Sequence, residues 1–168
     1  MDNLLDRADR GPCFLKIPEI AGIVVDAIQD SDRRFHRYDL HAFVVMPNHV
    51  HMLITPHVTS RHWLGPLKGF TAHEAIRTLN LPSGTRFWQP ESFDRLIDDD
   101  AGCERVKRYI EWNPVKAGLV LQPEDFPYSS ASVLTNAEIT PPALRGASRR
   151  AKPGGGAEAP ALQKTGNR

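Results

Sequence analysis

The chain has 168 residues, of which 40% are hydrophobic and 24% are charged, and its formal net charge is +1. These values are ordinary for one globular domain, and no apolar run approaches the roughly 20 residues that a transmembrane helix needs. The acidic N-terminus has no signal-peptide pattern, and Cys13 and Cys103 are too few for a disulfide framework. We therefore expect a cytoplasmic protein with reduced cysteines.

The first predicted element is a helix over 18–28. Pro18 suits the first turn of a helix, where its missing N–H would have no partner in any case. Glu19 places a negative charge near the positive end of the helix dipole.

Two strands are predicted next, at 37–45 and 49–55, with a Pro-Asn break in the turn at 46–48. His49 and His51 stand in the second strand, separated by one valine. Because side chains alternate between the two faces of a strand, both imidazoles point the same way. Two imidazoles on one face can bind a metal ion together. The alternative is a polar strand face that carries two solvated histidines.

Apolar residues recur at helical spacing over 61–79, which predicts a second helix. After a Pro-Ser-Gly loop, residues 86–97 are strand-like. The acidic run at 98–100 is interpreted as a solvated loop that leads into a third helix over 101–112. That helix is expected to end near Asn113, because the residue before a proline is disfavoured in the helical region. The order of elements indicates an α+β fold.

The last part of the chain is predicted to be a disordered basic tail over 140–168, following a domain at 1–139. The tail is rich in Pro, Gly and Ala and lacks apolar periodicity, so its deletion is expected to leave stability nearly unchanged. Six basic side chains and one acid lie from Arg145 onward, which leaves the rest of the chain with net negative charge. This balance counts modestly against tight nucleic-acid binding, although local clusters can form a positive groove.

Two segments resemble one known family. Residues 46–54, Met-Pro-Asn-His-Val-His-Met-Leu-Ile, resemble the histidine–hydrophobe–histidine (HUH) strand of the single-tyrosine transposases, above all the REP-associated tyrosine transposases. Residues 108–120, Arg-Tyr-Ile-Glu-Trp-Asn-Pro-Val-Lys-Ala-Gly-Leu-Val, resemble that family's tyrosine helix and the segment after it. Between them, 87–89 and 93–95 resemble the family's Trp-Gln strand. The resemblance covers about 11–131, and the order and spacing of the motifs are more specific than either motif alone.

The resemblance implies a ferredoxin-like antiparallel sheet with helices on one face. The family has a strand ahead of the segment that resembles 11–15, whereas only ten residues precede Gly11 here. The chain is therefore expected to lack the family's first strand. Loss of that strand beside the histidine strand would expose a sheet edge and loosen the site.

For the chemistry, the resemblance implies that Tyr109 is the nucleophile and forms a covalent phosphotyrosine with DNA. It implies that His49 and His51, with the side-chain oxygen of Asn113, hold Mg²⁺ or Mn²⁺. Two alternatives stay open. In the first, Tyr109 is a helix tyrosine whose ring only packs. In the second, Asn113 only caps the helix before Pro114.

The implied partner is single-stranded or hairpin DNA, with the protein a monomer or a homodimer and no membrane involved. Lys68 lies in a Lys-Gly-Phe-Thr segment that resembles one in the family, and it is a candidate phosphate contact. Arg105, Arg108 and Lys116 flank the tyrosine helix and are candidates to line a groove. The three tryptophans are either base-stacking residues or core aromatics. Two other functions remain: a DNA-binding remnant that no longer cuts, and a small metal-binding protein without nucleic acid.

Overall fold

The computed structural model describes residues 13–90, 92–132 and 161–166. In chain order these residues form α1 (Pro18–Arg33), β1 (Tyr38–Met46), β2 (His49–Pro56), α2 (Ser60–Thr78), β3 (Ser92–Leu96), α3 (Asp100–Lys116) and β4 (Ala161–Gly166). Short 3₁₀ turns lie at Phe14–Lys16 and Pro123–Asp125. The predicted α+β class with a ferredoxin-like antiparallel sheet is confirmed. Within the described residues no strand precedes α1, and no helix is long and apolar enough to cross a membrane.

The sheet has four strands in the order β1-β2-β4-β3, and every neighbouring pair is antiparallel. Strands β1 and β2 form a hairpin whose two-residue turn is Pro47-Asn48, with Met46 opposite His49. The outer edge of β1 is also paired, since the Val45 N–H donates to the Tyr128 carbonyl at 2.8 Å. This pairing leaves β1 with hydrogen-bond partners on both sides near the turn.

The helices lie on both faces of the sheet, so the predicted placement of the helices on one face holds for α1 and α2 but is wrong for α3. Helices α1 and α2 pack against one face, where Phe43, Val45 and Met52 are buried among their apolar side chains. Helix α3 packs against the other face, where its Ile110 joins Val44 of β1 in a second core. Because neighbouring residues of a strand point to opposite faces, β1 and β2 supply apolar side chains to both cores. The continuous apolar runs at 42–46 in β1 and 52–54 in β2 reflect this burial on both faces.

The strand-like segment predicted at 86–97 contains a strand only at Ser92–Leu96. Phe87 and Trp88 are buried, but in an irregular segment, where Phe87 stacks on Phe14 at 5.5 Å. Phe87 and Trp88 are aromatic because they pack against the core, not because they pair in a strand. An apolar sequence pattern alone cannot distinguish a buried irregular segment from a strand.

Helix α3 was predicted to end near Asn113, before Pro114. It instead continues to Lys116, so this prediction is wrong. A proline in the last turn removes only one hydrogen bond, and the turn is closed beyond it by Gly118 in the left-handed region (φ 70°). The N–H of Leu119 donates to the Pro114 carbonyl at 2.9 Å. At the other end, Asp99 caps the helix by accepting from the Gly102 N–H, in agreement with the loop predicted there.

The predicted disordered tail is wrong for residues Ala161–Gly166, which form β4 in the middle of the sheet. The remainder of that prediction, 140–160 and 167–168, lies outside the described residues. Composition failed here because a central strand is stabilised by backbone hydrogen bonds to both neighbours, and these do not require an apolar side-chain pattern. Deletion of the tail is accordingly no longer expected to leave stability unchanged.

A buried hydrogen-bond chain joins α2 to the aromatic segment and yields a first prediction. The Thr71 hydroxyl donates to the Leu67 carbonyl at 2.7 Å and accepts from the Trp88 indole N–H at 2.8 Å. Thr71→Val keeps the side-chain shape but leaves the indole N–H buried without its acceptor. We expect a loss of about 1–3 kcal/mol in the free energy of unfolding, measured by urea denaturation. Thr78→Val, at the less buried end of the same helix, serves as the matched control and should change it by less than about 0.5 kcal/mol.

Candidate active site on the histidine strand

His49 and His51 lie side by side on the face of β2 that α3 covers. Their side chains are 1% and 2% exposed, which excludes the alternative of two solvated histidines. Their Nε2 atoms are 3.1 Å apart, so the prediction that both imidazoles point the same way is confirmed. Two nitrogens bound about 2.1 Å from one ion at a right angle would be about 3.0 Å apart. The pair is therefore spaced to share one cation.

Asn48 orients one of these rings, and the sequence analysis missed it. Its buried side-chain oxygen lies 2.7 Å from Nδ1 of His49. If the His49 ring donates its Nδ1–H to this oxygen, its Nε2 carries no hydrogen, and that is the form of the ring that binds a metal. The available signal was the position of the asparagine in the turn directly before the first histidine.

Tyr109, on α3, faces the histidine pair. Its ring centroid is 5.7 Å from that of His51, in an edge-to-face arrangement. The chain has two other tyrosines. Tyr38 is buried on the α1 side, its hydroxyl donates to the Ile28 carbonyl at 2.9 Å, and burial raises its pKa. The ring of Tyr128 packs edge-on against Phe126 at 5.8 Å.

Asn113 lies one helical turn after Tyr109, on the same side of α3. It is 3% exposed, and its Nδ2 atom has no hydrogen-bond partner within the described part of the chain. The alternative that Asn113 caps the helix does not hold, because α3 continues past it to Lys116. A 180° turn of the Asn113 amide exchanges its oxygen and nitrogen without changing its shape. The position without a partner can therefore hold the side-chain oxygen as well as Nδ2.

Lys116 lies one further turn along α3, and its Nζ is 4.5 Å from the centroid of the Tyr109 ring. This contact is a cation–π interaction, and it places a positive charge beside the tyrosine. The sequence analysis named Lys116 as a DNA contact but did not anticipate its contact with Tyr109.

The donor set fits a hard divalent cation. Across 13–90, 92–132 and 161–166 there is no group of three or more His, Cys, Asp or Glu side chains that could hold a metal. Two imidazoles and one amide oxygen form an incomplete set, which suits an ion that keeps water and takes substrate phosphate oxygens, as Mg²⁺ does. A closed structural zinc site would require four protein ligands.

Burial shifts the pKa of two other ionisable groups on α3. Burial, and then the carboxylates of Asp100 and Asp99, raise the pKa of the Cys103 thiol, so its thiolate is disfavoured. Burial likewise raises the pKa of Glu111, against the opposing effect of Lys107. Glu111 lines a separate polar cavity of about 200 Å³ at the edge of β1.

The remaining predicted contacts are dispersed. Lys68 belongs to α2, and its Nζ donates to the Gln89 carbonyl at 2.8 Å. Arg105 and Arg108 are exposed on α3, and Arg105 lies 3.8 Å from the Asp99 carboxylate. The structure therefore groups Tyr109, the histidines and Lys116, and it places Lys68 on a helix of the opposite layer.

The three tryptophans differ in burial. Trp63 and Trp88 are core residues, 1% and 9% exposed, while Trp112 on α3 is 42% exposed. Only Trp112 of the three keeps an accessible ring for base stacking.

Comparison with known proteins identifies a family match over most of this fold. The model of the IS200-like transposase family matches residues 23–113. The matched range contains both histidines, Tyr109 and Asn113, and it runs from within α1 into α3.

Two curated relatives are similar to parts of the chain. One, a REP-associated tyrosine transposase of Escherichia coli (strain K12), is 28% identical over 102 residues, which cover 58% of this chain and 57% of the relative. The other, a putative REP-associated tyrosine transposase of Haemophilus influenzae (strain ATCC 51907 / DSM 11121 / KW20 / Rd), is 43% identical over 54 residues, covering 32% and 31% respectively. The chain thus spans less than two thirds of the length of either relative. No solved structure matches the chain.

Proposed function

We propose that this chain, which belongs to the IS200-like transposase family, cleaves and rejoins single-stranded DNA through a covalent bond to Tyr109. Family membership supports a transposase function in general. The observation that carries the finer proposal is the contact of Tyr109 with His51, whose Nε2 is 3.1 Å from that of His49. A nucleophile beside two imidazoles that could hold a metal ion together suits phosphoryl transfer.

In the proposed reaction the Tyr109 hydroxyl oxygen attacks a DNA phosphorus. An oxygen–phosphorus bond forms to the tyrosine as the bond to one DNA oxygen breaks, and the departing strand end takes up a proton as the tyrosine loses one. The phosphotyrosine conserves the energy of the phosphodiester bond, so a second strand end can reverse the step and be joined. Simple hydrolysis would lose that energy, which is why this chemistry suits strand transfer.

We assign His49, His51 and Asn113 as the residues that hold Mg²⁺ or Mn²⁺, which would withdraw charge from the scissile phosphate when bound. Asn48 holds the His49 ring in its orientation through the 2.7 Å hydrogen bond. Lys116 adds a fixed positive charge next to the tyrosine ring, where a phosphate would approach.

The direct test is incubation of end-labelled hairpin DNA with the protein and Mn²⁺, followed by a denaturing gel. A band of protein covalently joined to DNA, absent when a chelator replaces the metal, is the expected result. DNA binding without this band would instead favour the remnant that no longer cuts. Absence of single-stranded DNA binding even at low salt would favour the small metal-binding protein.

A further prediction concerns Arg108, which is exposed on α3 and is a candidate DNA contact. We expect Arg108→Ala, on the tyrosine helix, to weaken single-stranded DNA binding and to reduce the slope of log affinity against log salt by about 0.7, the value for one lost phosphate contact. Arg77→Ala is the matched control, because Arg77 is an equally charged, exposed residue on α2 that pairs with Glu74. Fluorescence anisotropy at several salt concentrations measures both. Equal slopes for the two variants and the unmodified protein would place the DNA on another surface.

A further inference from the structure

Strand β4 lies in the interior of the sheet although it comes last in the sequence. Its six residues pair antiparallel with β2 on one side, and five of them, 161–165, pair antiparallel with β3 on the other. The register along β2 runs without a break from His49 opposite Gly166 to Ile54 opposite Ala161. Within the described residues β4 is also the only strand that pairs with β3.

This place has a specific meaning in a ferredoxin-like sheet. Such a sheet follows the order strand, helix, strand, strand, helix, strand. Here α1, β1, β2, α2 and β3 supply every element of that series after its first strand. In that topology the first strand lies between the third and fourth strands and is antiparallel to both, which is the position and the direction of β4.

We propose that Ala161–Gly166 takes the place of the first strand of a ferredoxin-like sheet and thereby holds the histidine strand in position. The position of the first strand is thus filled by a segment that follows α3 in the same chain. The placement of the strand is independent of the proposed DNA chemistry, whereas its effect on metal binding rests on that proposal.

The site depends on β4 because β4 pairs with the part of β2 that carries the two histidines. His49 and His51, with their Nε2 atoms 3.1 Å apart, are the residues of β2 that lie opposite Gly166 and Lys164. Without β4, the backbone of β2 would be paired only with β1, and its other edge would carry open N–H and C=O groups. A binding constellation tolerates displacements of only about 0.5 Å, so a loosened strand would weaken a shared cation.

A disulfide tests the placement directly. Directly opposite residues of antiparallel strands have Cα atoms about 4.5–5.5 Å apart, inside the range that a disulfide spans. Val50 lies opposite Thr165, and both are close to cysteine in size. We expect Val50→Cys/Thr165→Cys, in a background with Cys13→Ser and Cys103→Ser, to form an intrachain disulfide under mild oxidation. Non-reducing electrophoresis and peptide mapping detect it.

The control pair is Val50→Cys/Lys164→Cys, because the register puts Lys164 opposite His51 and a shift of one residue reverses the faces. We expect at least tenfold less cross-link for this pair. Equal cross-linking of both pairs, failure of the 50/165 pair to cross-link, or a cross-link between two chains would each overturn the proposal.

A second variant tests the consequence for the site. In a strand that is paired on both sides, proline removes a ladder hydrogen bond wherever it stands. Gln163→Pro should therefore speed amide hydrogen exchange in His49–Pro56 and weaken Mn²⁺ binding at least tenfold in calorimetry. Ser83→Pro, at the second position of the exposed turn 82–85, should change neither, because proline suits that position before Gly84 at φ 84°. Unchanged exchange in Gln163→Pro would overturn the proposal, and this readout does not require the protein to cut DNA.

Discussion

Tyr109→Phe is expected to abolish covalent attachment of the protein to single-stranded DNA and to leave DNA binding within about twofold of the unmodified protein. The substitution removes one oxygen, which is the proposed nucleophile, and no metal ion or base can supply it. Loss of a nucleophile typically lowers turnover by many orders of magnitude, so we expect at least a thousandfold loss of adduct. Quantitative denaturing gels with labelled hairpin DNA and Mn²⁺ measure this.

The ring of Tyr109 should remain in place in this variant, because its contacts with His51 and Lys116 are made by the aromatic face and edge. The melting temperature is therefore expected to change little. Tyr128→Phe is the matched control, since Tyr128 carries the same hydroxyl but packs against Phe126, and its adduct should persist. An adduct that survives in Tyr109→Phe and disappears in Tyr128→Phe would move the nucleophile to Tyr128.

His49→Ala is expected to lose both metal binding and covalent attachment. One lost ligand typically costs more than about 1.4 kcal/mol, so Mn²⁺ affinity measured by calorimetry should fall at least about tenfold. Excess Mn²⁺ should partly restore the adduct in this variant, because His51 and Asn113 remain to hold the ion. The same excess should do nothing for Tyr109→Phe, and this contrast separates the role of the metal from that of the nucleophile.

His73→Ala is the control for the histidine variant, because His73 is exposed on α2, in the layer opposite the site. It should leave Mn²⁺ affinity and adduct formation unchanged. If His49→Ala kept full Mn²⁺ affinity while His73→Ala did too, the buried pair would not be a metal site. The 3.1 Å contact would then be a structural hydrogen bond in which the Nε2–H of one imidazole donates to the Nε2 of the other, which carries no hydrogen.

The local patterns of the sequence determined much of this protein. The period-two alternation around His49 and His51 predicted that both face one way, and the hairpin, helix α2 and the acidic loop that leads into α3 followed from equally local signals. The family resemblance selected Tyr109 from the three tyrosines, and the contact with His51 is consistent with that selection. The strand alternation, the hairpin and helix α2 depend on residues a few positions apart, so the sequence alone is sufficient to predict them.

Only the tertiary structure decided what distant segments do to one another. It placed Tyr109 of α3 against His51 of β2, and it placed Lys68 in the opposite layer. It also placed Ala161–Gly166 beside the histidine strand, where composition had predicted disorder. The physical reason is that strand pairing is made by backbone N–H and C=O groups, which every residue but proline carries alike, so the partner of a strand is decided by which edge is open in the folded sheet.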